Sequence, residues 1–194
     1  ADVLSGEIAS GTIQAVATKP VTRWEVLLGK WLGIVGMMTV YIVIMVGGVT
    51  CVAYLLSGAT PLHLLRGAFL IWLEGIVLLN VTLLSGTTFS TLTNGVLVLG
   101  LYALAFLGGW IEQAGAITDS PRAVEVGVIA SMIMPSESLW RRAAFEMQSP
   151  VVGALSMSPF SNASVPSLAM IGYSAVYLAI ALVLALRCFS ARDL

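Results

Sequence analysis

Charged residues are scarce in this chain of 194 residues, and their scarcity excludes several classes of protein at once. Asp, Glu, Lys and Arg make up 10% of the sequence, whereas soluble domains contain roughly 25%. The formal net charge is −1, so the chain offers neither a basic face for nucleic acid nor an acidic tail. Hydrophobic residues make up 58% of the sequence and the mean hydropathy is +0.98, which excludes intrinsic disorder and an ordinary water-soluble globule.

Histidine and cysteine are almost absent, which leaves little material for a metal site, a disulfide framework or a catalytic centre. The single histidine, His63, has no second metal ligand close to it in the sequence. Cys51 and Cys188 lie in apolar runs, so we interpret both as packing residues. The sequence contains no Ser/His/Asp set and no GxxxxGK(S/T) loop that could hold nucleotide phosphates. We therefore expect a chain that is not an enzyme and binds no cofactor or metal of its own.

Long hydrophobic runs predict a polytopic α-helical membrane protein, of the all-α class, with a single domain over residues 1–194. A transmembrane helix needs about 20 mostly apolar residues. We place four spans, at residues 31–56, 67–90, 96–111 and 167–186. The polar, Pro- and Ser-rich stretch 112–166 is predicted to be a loop outside the hydrocarbon.

Two short helices are predicted within this loop. The Ser-Pro pair at 120–121 is a plausible N-cap followed by proline in the first turn, and it begins a helix that ends near Ile133. A second helix covers residues 136–147, where Glu137 and Arg141 are expected to pair at i,i+4 on the polar face. The apolar face of this helix suits either a position on the membrane interface or packing against the spans as a solvated loop helix.

An even number of spans places both ends of the chain on one side of the membrane. Basic residues flank that side in slight excess, which predicts cytoplasmic termini. The chain begins at Ala1 rather than Met, and its first ten residues lack the features of a signal peptide. We therefore expect a part of the protein to precede this chain.

The segment before the first span, residues 1–29, is predicted to form a helical elbow at the cytoplasmic surface. Gly11 permits a sharp change of direction, and Lys19-Pro20 interrupts the short helix that follows. Residues 22–25 have the S/T-x-x-E form of a capping box just before an apolar helix. Charged side chains along this elbow suit docking to a soluble partner.

Polar and small residues within the helices have more than one interpretation. Glu74 is an intramembrane carboxylate, and such groups are functional candidates by default. It lies either on a substrate or proton pathway or, if the span is slightly displaced, at the outer interface. Asn80 is either a pathway residue or a hydrogen-bonding link between helices. Gly29 and Gly33 form a GxxxG pair that permits close helix packing, which we expect within one subunit rather than across a dimer.

Several short motifs follow one another in a characteristic order. An acidic residue after Ser-Gly is followed by Gly-Thr, then Pro-x-x-Arg, then Leu-Gly-Lys-x-x-Gly at the start of a span. In this chain they are Ser5-Gly6-Glu7, Gly11-Thr12, Pro20-Val21-Thr22-Arg23 and Leu28-Gly29-Lys30-Trp31-Leu32-Gly33. This pattern resembles the coupling-helix region of ABC-2 type transporter permeases. The stretch 134–141 resembles the extracytoplasmic loop of that family, and 189–194 resembles its cytoplasmic end.

The resemblance implies the membrane-spanning subunit of an ATP-binding cassette transporter, and export is the expected direction. ATP and Mg would be bound by cytoplasmic ATPase subunits, and a second permease copy, identical or paralogous, would complete the pathway. The family has six spans, so two are expected upstream of this chain. Residues implied at the ATPase contact are Glu7, Gly11, Thr12, Lys19, Pro20, Arg23 and Glu25. The branch that contains the permease for copper-centre maturation of nitrous oxide reductase looks similar, and it suggests the cell membrane of a prokaryote.

Two alternatives remain open on the residues alone. One is a secondary transporter or channel driven by an ion gradient, with Glu74 as its coupling group. The other is a membrane anchor that transports nothing and transmits ATPase motion to an external partner through the stretch 112–166. An elbow that docks an ATPase separates the first alternative from a permease, since a gradient-driven carrier has no use for one.

Overall fold

The structure, a computed structural model, describes residues 23–58, 60–148 and 164–191, and these ranges form an all-helical bundle. The helices are α1 (Arg23–Ser57), α2 (Leu64–Gly86), α3 (Thr91–Ile117), α4 (Pro121–Ile133), α5 (Ser136–Met147) and α6 (Leu168–Ser190). The all-α class predicted from the sequence is confirmed.

Four of the helices, α1, α2, α3 and α6, are long and apolar enough to cross a membrane. The shortest two have 23 residues each, about 34 Å at 1.5 Å per residue, against roughly 30 Å of hydrocarbon. The four predicted spans are thus confirmed, and the chain is a multi-pass membrane protein. Their bounds differ from the prediction most at α3, which continues to Ile117 instead of ending at 111. The reason is that Glu112, the charge that ended the predicted span, is buried inside the bundle.

The first and last spans meet on one side of the bundle. Leu27 near the start of α1 packs against Ala185 and Phe189 near the end of α6. We call this the terminal side and the opposite side the distal side. The connection from α3 to α4 therefore lies on the distal side, while the turn from α2 to α3 lies on the terminal side.

α2 is the central helix and contacts α1, α3, α5 and α6. Leu70, Leu73 and Val77 form its buried face against α5 and α6. α1 by contrast leaves most of its apolar side chains exposed. In a membrane protein such a surface faces lipid or another membrane chain.

α3 and α4 form a tight antiparallel helical hairpin. Small residues line their contact in pairs that run in opposite directions along the two helices: Gly108 with Ala130, Glu112 with Gly127, and Gly115 with Ala123. A Cβ atom added to Gly115 would lie 2.7 Å from the Cβ of Ala123, so glycine is required for this approach of the two helices. Gly108 precedes the end of α3 by about 13 Å of helix, and α4 therefore returns alongside the span.

α5 turns back towards the distal side and runs along α2. Its residues Leu139 and Ala143 complete the apolar cluster on the buried face of α2. Further along, the side chain of Met147 fills the space beside Gly67, where a Cβ atom would lie 2.6 Å from the Met147 sulfur. The two short helices thus form a pair that enters the bundle from the distal side and leaves it again.

Of the stretch 112–166, the structure describes residues 112–148 and 164–166, and its place outside the hydrocarbon stays a prediction. Both short helices have nearly the predicted bounds, but they pack along the spans α3 and α2. The polarity of the stretch suggested exposure to water. In the structure, much of that polarity is buried between helices, where an ion pair joins Glu112 to Arg141.

Candidate functional site

The predicted elbow lies mostly outside the described residues, and so do five of its seven candidate contact residues: Glu7, Gly11, Thr12, Lys19 and Pro20. α1 begins at Arg23, and Glu25 lies exposed in its first turn. The roles of these residues in contacting an ATPase remain predictions from the resemblance. What the structure does describe is the part of the bundle to which the elbow is attached.

The beginning of α1 is fixed to two other spans by an apolar cluster that we call the terminal anchor. It consists of Leu27, Leu83 from α2, and Ala185 and Phe189 from α6, each of which is at most 1% exposed. Trp31, one turn after Leu27, packs against the same cluster. A displacement of the first turns of α1 therefore acts on α2 and α6 as well.

Asn80 adds a polar link between the same three helices. The indole Nε1 of Trp31 donates a hydrogen bond to Asn80 Oδ1 at 2.7 Å, and Asn80 Nδ2 donates to the carbonyl oxygen of Leu178 in α6 at 2.9 Å. Asn80 is fully buried, and both ends of its amide are used. This geometry favours the helix-linking interpretation of Asn80 over a place on a substrate pathway.

A buried ion pair lies towards the distal side, between α3 and α5. The Nη2 atom of Arg141 is 2.6 Å from Glu112 Oε2, and the two side chains are 3% and 7% exposed. The hydroxyl of Ser164, just before α6, donates to the other carboxylate oxygen of Glu112 at 2.6 Å. The sequence predicted Glu137 as the ion-pair partner of Arg141. The structure pairs Arg141 with Glu112 because its helix lies inside the bundle, within reach of α3. Glu137 lies within electrostatic range of the same arginine.

Beside the ion pair lies a cavity of about 240 Å³ lined by α3, α4, α5 and the residues that precede α6. Its polar lining includes Ser131, Ser138 and the Glu112–Arg141 pair. The buried atoms without a hydrogen-bond partner among the described residues include Ser131 Oγ, Ser136 Oγ and Glu137 Oε2. A buried polar group without a partner costs about 1–3 kcal/mol. The packing of α4 and α5 against the spans is therefore opposed by a local polar penalty.

The carboxyl group of Glu74 lies within electrostatic range of Glu137 on α5. Glu137 is 5% exposed, and its carboxylate lies against Gly109 of α3, where a Cβ atom would be 2.9 Å from Glu137 Oε1. Two acidic side chains thus lie within electrostatic range of each other where α2, α3 and α5 meet. Among the described residues, no group of three or more His, Cys, Asp or Glu side chains could hold a metal ion.

A comparison of the chain with models of protein families shows which family it belongs to. The family model described as "ABC-2 family transporter protein" matches residues 1–194. The chain belongs to the ABC-2 transporter family. Searches of curated proteins and of solved structures found no match.

Membership in the ABC-2 family identifies the type of subunit. The chain is a permease subunit of an ABC transporter, and proteins of this family are membrane components that do not themselves carry the catalytic site. The four apolar spans and the all-helical bundle agree with this assignment.

Among the described residues, the glycines of the GxxxG pair make no close helix contact. Gly29 and Gly33 of the ABC-2 permease have nothing within 4 Å of the position where a Cβ atom would lie. Within the part of the chain that the structure describes, no helix packs against this stripe of α1. The two glycines are thus left on an open surface of the first span.

Sequence reasoning missed Glu137 and Arg141 as residues of the permease interior. Glu137 lies in a helix whose strong segregation of polar and apolar side chains suggested that its polar face was solvated. The signal that could have revealed their position was the run of small residues in α3 and α4, because glycines and alanines at helical spacing permit a second helix to pack closely. Such packing carries the following helix into the bundle.

Proposed function

We propose that this ABC-2 permease couples ATP hydrolysis by a separate ATP-binding subunit to the export of a solute. The sequence has no phosphate-binding loop of its own. ATP and Mg²⁺ would therefore be bound by cytoplasmic partner subunits, and the permease would receive their motion by contact. In this arrangement the terminal side faces the cytoplasm of a prokaryotic cell.

The terminal anchor carries this proposal. The predicted elbow, residues 1–29, continues into α1, and the first turns of α1 are packed against α2 and α6 through Leu27 and Trp31. A helix held in this way transmits a push from the elbow into the bundle, whereas a loosely attached helix would bend. Glu7, Arg23 and Glu25 orient the elbow or contact the ATPase, and Gly11, Thr12, Lys19 and Pro20 shape it.

A second permease copy completes the transporter in this proposal. The exposed apolar face of α1, which includes Leu32, Met37 and Val40, offers a large surface for lipid or for another membrane chain. Two permease copies with two ATP-binding subunits would give the symmetric arrangement that most oligomers adopt.

One observation favours a second candidate function, transport driven by an ion gradient. Glu74 is accompanied by Glu137, and paired intramembrane carboxylates are typical of proton pathways. The two functions differ in their energy source. Solute uptake into inverted vesicles would require ATP and the partner subunit in the first case, and only a proton gradient in the second.

Reversing the charge at Glu7 should weaken the complex with the ATP-binding subunit. We expect Glu7→Lys to lower the amount of ATPase that co-purifies with the permease by about tenfold, because a charge pair at an interface becomes a repulsive contact. Quantitative pull-down from detergent extracts, followed by ATP hydrolysis assays on the eluted complex, measures this loss.

Glu125→Lys is the matched control for this experiment. Glu125 is exposed on α4, which packs on the distal side, so its reversal should leave ATPase recovery unchanged. Undiminished recovery and ATP turnover in Glu7→Lys would contradict the proposed contact.

A further inference from the structure

The helices of the distal half form two closely packed pairs. α3 packs against α4, and α2 packs against α5, and these are the two most extensive helix contacts of the bundle. Contacts across the boundary between the pairs are sparser, as those of α5 with α3 and with α4 show. We call this boundary the polar seam, because Ser131, Glu137 and the Glu112–Arg141 ion pair lie along it.

The ion pair is the strongest polar connection across the seam. Glu112 belongs to the α3–α4 pair and Arg141 to the α2–α5 pair, and their charged atoms are 2.6 Å apart. Ser164 ties the same carboxylate to the segment before α6. A second connection on this side is weaker, since Arg142 Nη1 donates to the carbonyl oxygen of Pro166 at 3.2 Å.

The remainder of the seam opposes closure. Ser131 and Glu137 bury polar atoms that have no protein partner among the described residues, and opening of the seam exposes these atoms to bulk water. A cavity of about 240 Å³, lined by both helix pairs, lies beside the ion pair. A contact that is held by an ion pair, and whose other polar atoms gain hydration when it opens, is suited to two alternative positions.

We propose that the Glu112–Arg141 pair is a latch that holds the polar seam closed, and that the seam opens to water from the distal side during the transport cycle. Opening separates α5 from α3 and α4, breaks the ion pair, and hydrates the hydroxyl and carboxyl groups beneath it. The opened seam is lined by serines and charged side chains, so it admits water and hydrophilic solutes rather than lipid. That ATP drives the opening rests on the proposed function; the latch itself does not.

A cysteine introduced by Ser131→Cys reports whether the seam is closed or open to water. Ser131 is 2% exposed and lines the cavity. The two native cysteines, Cys51 and Cys188, are both free and exposed, so each is first replaced by serine. The permease with Ser131→Cys is then reconstituted in vesicles together with its ATP-binding subunit, and the rate of modification by N-ethylmaleimide is measured.

Weakening the latch should increase this rate. We expect Glu112→Gln to raise modification at position 131 by about tenfold, because the ion pair that joins α3 to α5 is then lost. Arg141→Gln should have a similar effect, and the double variant should exceed neither single variant by much, since both remove the same interaction. Ser164→Ala, which keeps the ion pair, should give a smaller increase.

Two controls separate latch opening from unfolding. Glu146→Gln removes the ion pair of Glu146 with Arg142, which lies within α5, and should leave the rate at position 131 unchanged. A Leu83→Cys reporter in the terminal anchor, where Leu83 is 1% exposed, should stay protected in Glu112→Gln. Equal rates at position 131 with and without Glu112→Gln would overturn the latch, as would a rise of the same size in Glu146→Gln or at position 83.

The effect of ATP on the modification rate at position 131 distinguishes a failure of the latch from a failure of the proposed function. If both are correct, ATP turnover accelerates modification at position 131 in the chain with an intact latch, and Glu112→Gln makes the acceleration independent of ATP. If Glu112→Gln opens the seam but ATP has no effect on the intact latch, the latch stands and the ATP-driven function fails.

Discussion

Replacing Gly127 with leucine should separate α4 from α3 and greatly reduce the yield of folded permease. A Cβ atom at Gly127 would lie 2.6 Å from the carbonyl oxygen of Gly108 and 2.9 Å from Cα of Glu112. Both neighbours are backbone atoms, so no side-chain rotation can relieve the overlap. We expect the free energy of unfolding in detergent to fall by about 3 kcal/mol or more, as measured by chemical denaturation followed by circular dichroism.

Gly100→Leu is the control for this substitution. Gly100 belongs to α3, is exposed, and has nothing within 4 Å of the Cβ position. Leucine there should be neutral or slightly stabilising, because glycine is a poor helix former. Equal stability of Gly127→Leu and Gly100→Leu would contradict the close packing of α4 against α3.

Truncation of Leu27 should uncouple the elbow from the bundle. Leu27 is fully buried in the terminal anchor, and a buried Leu→Ala substitution costs about 3 kcal/mol through lost contacts and the remaining cavity. Because the residues predicted to contact the ATPase, from Glu7 to Glu25, are unchanged in Leu27→Ala, the ATPase should still bind. We expect ATP-dependent transport in vesicles to fall at least as steeply as stability, at a temperature where the variant remains folded.

Leu92→Ala distinguishes anchoring from general loss of apolar surface. Leu92 lies in the first turn of α3 and is 79% exposed, and its truncation should change both stability and transport little. If Leu27→Ala retained full ATP-dependent transport while folded, transmission through the terminal anchor would be refuted.

The spans were predictable because apolar length is a local property of the sequence. Their bounds were less predictable where a charge is neutralised by a distant partner. Glu112 ended the predicted third span, yet it pairs with Arg141, 29 positions away in the sequence. Periodicity within one helix cannot reveal such a pair, since the partner is decided by how other helices pack.

The packing of other helices also decides which partners the polar side chains inside the bundle find. The i,i+4 rule correctly describes neighbours on an isolated helix and is satisfied on α5 by Arg142 and Glu146. Arg141 forms its ion pair with Glu112 on another helix, because α5 packs into the bundle through Leu139 and Ala143. Asn80 shows a similar limit: its residue type suggested a link between helices, but only the structure identifies Trp31 and Leu178 as its partners.

Photo-crosslinking from the elbow tests the central claim most directly. A photoreactive amino acid is placed at Thr12 in the complex of the permease with its ATP-binding subunit, and a matched one at Leu55, which is 76% exposed near the distal end of α1. A covalent adduct with the ATP-binding subunit is expected from position 12 and none from position 55. Adducts from position 55 but not from position 12 would contradict that claim.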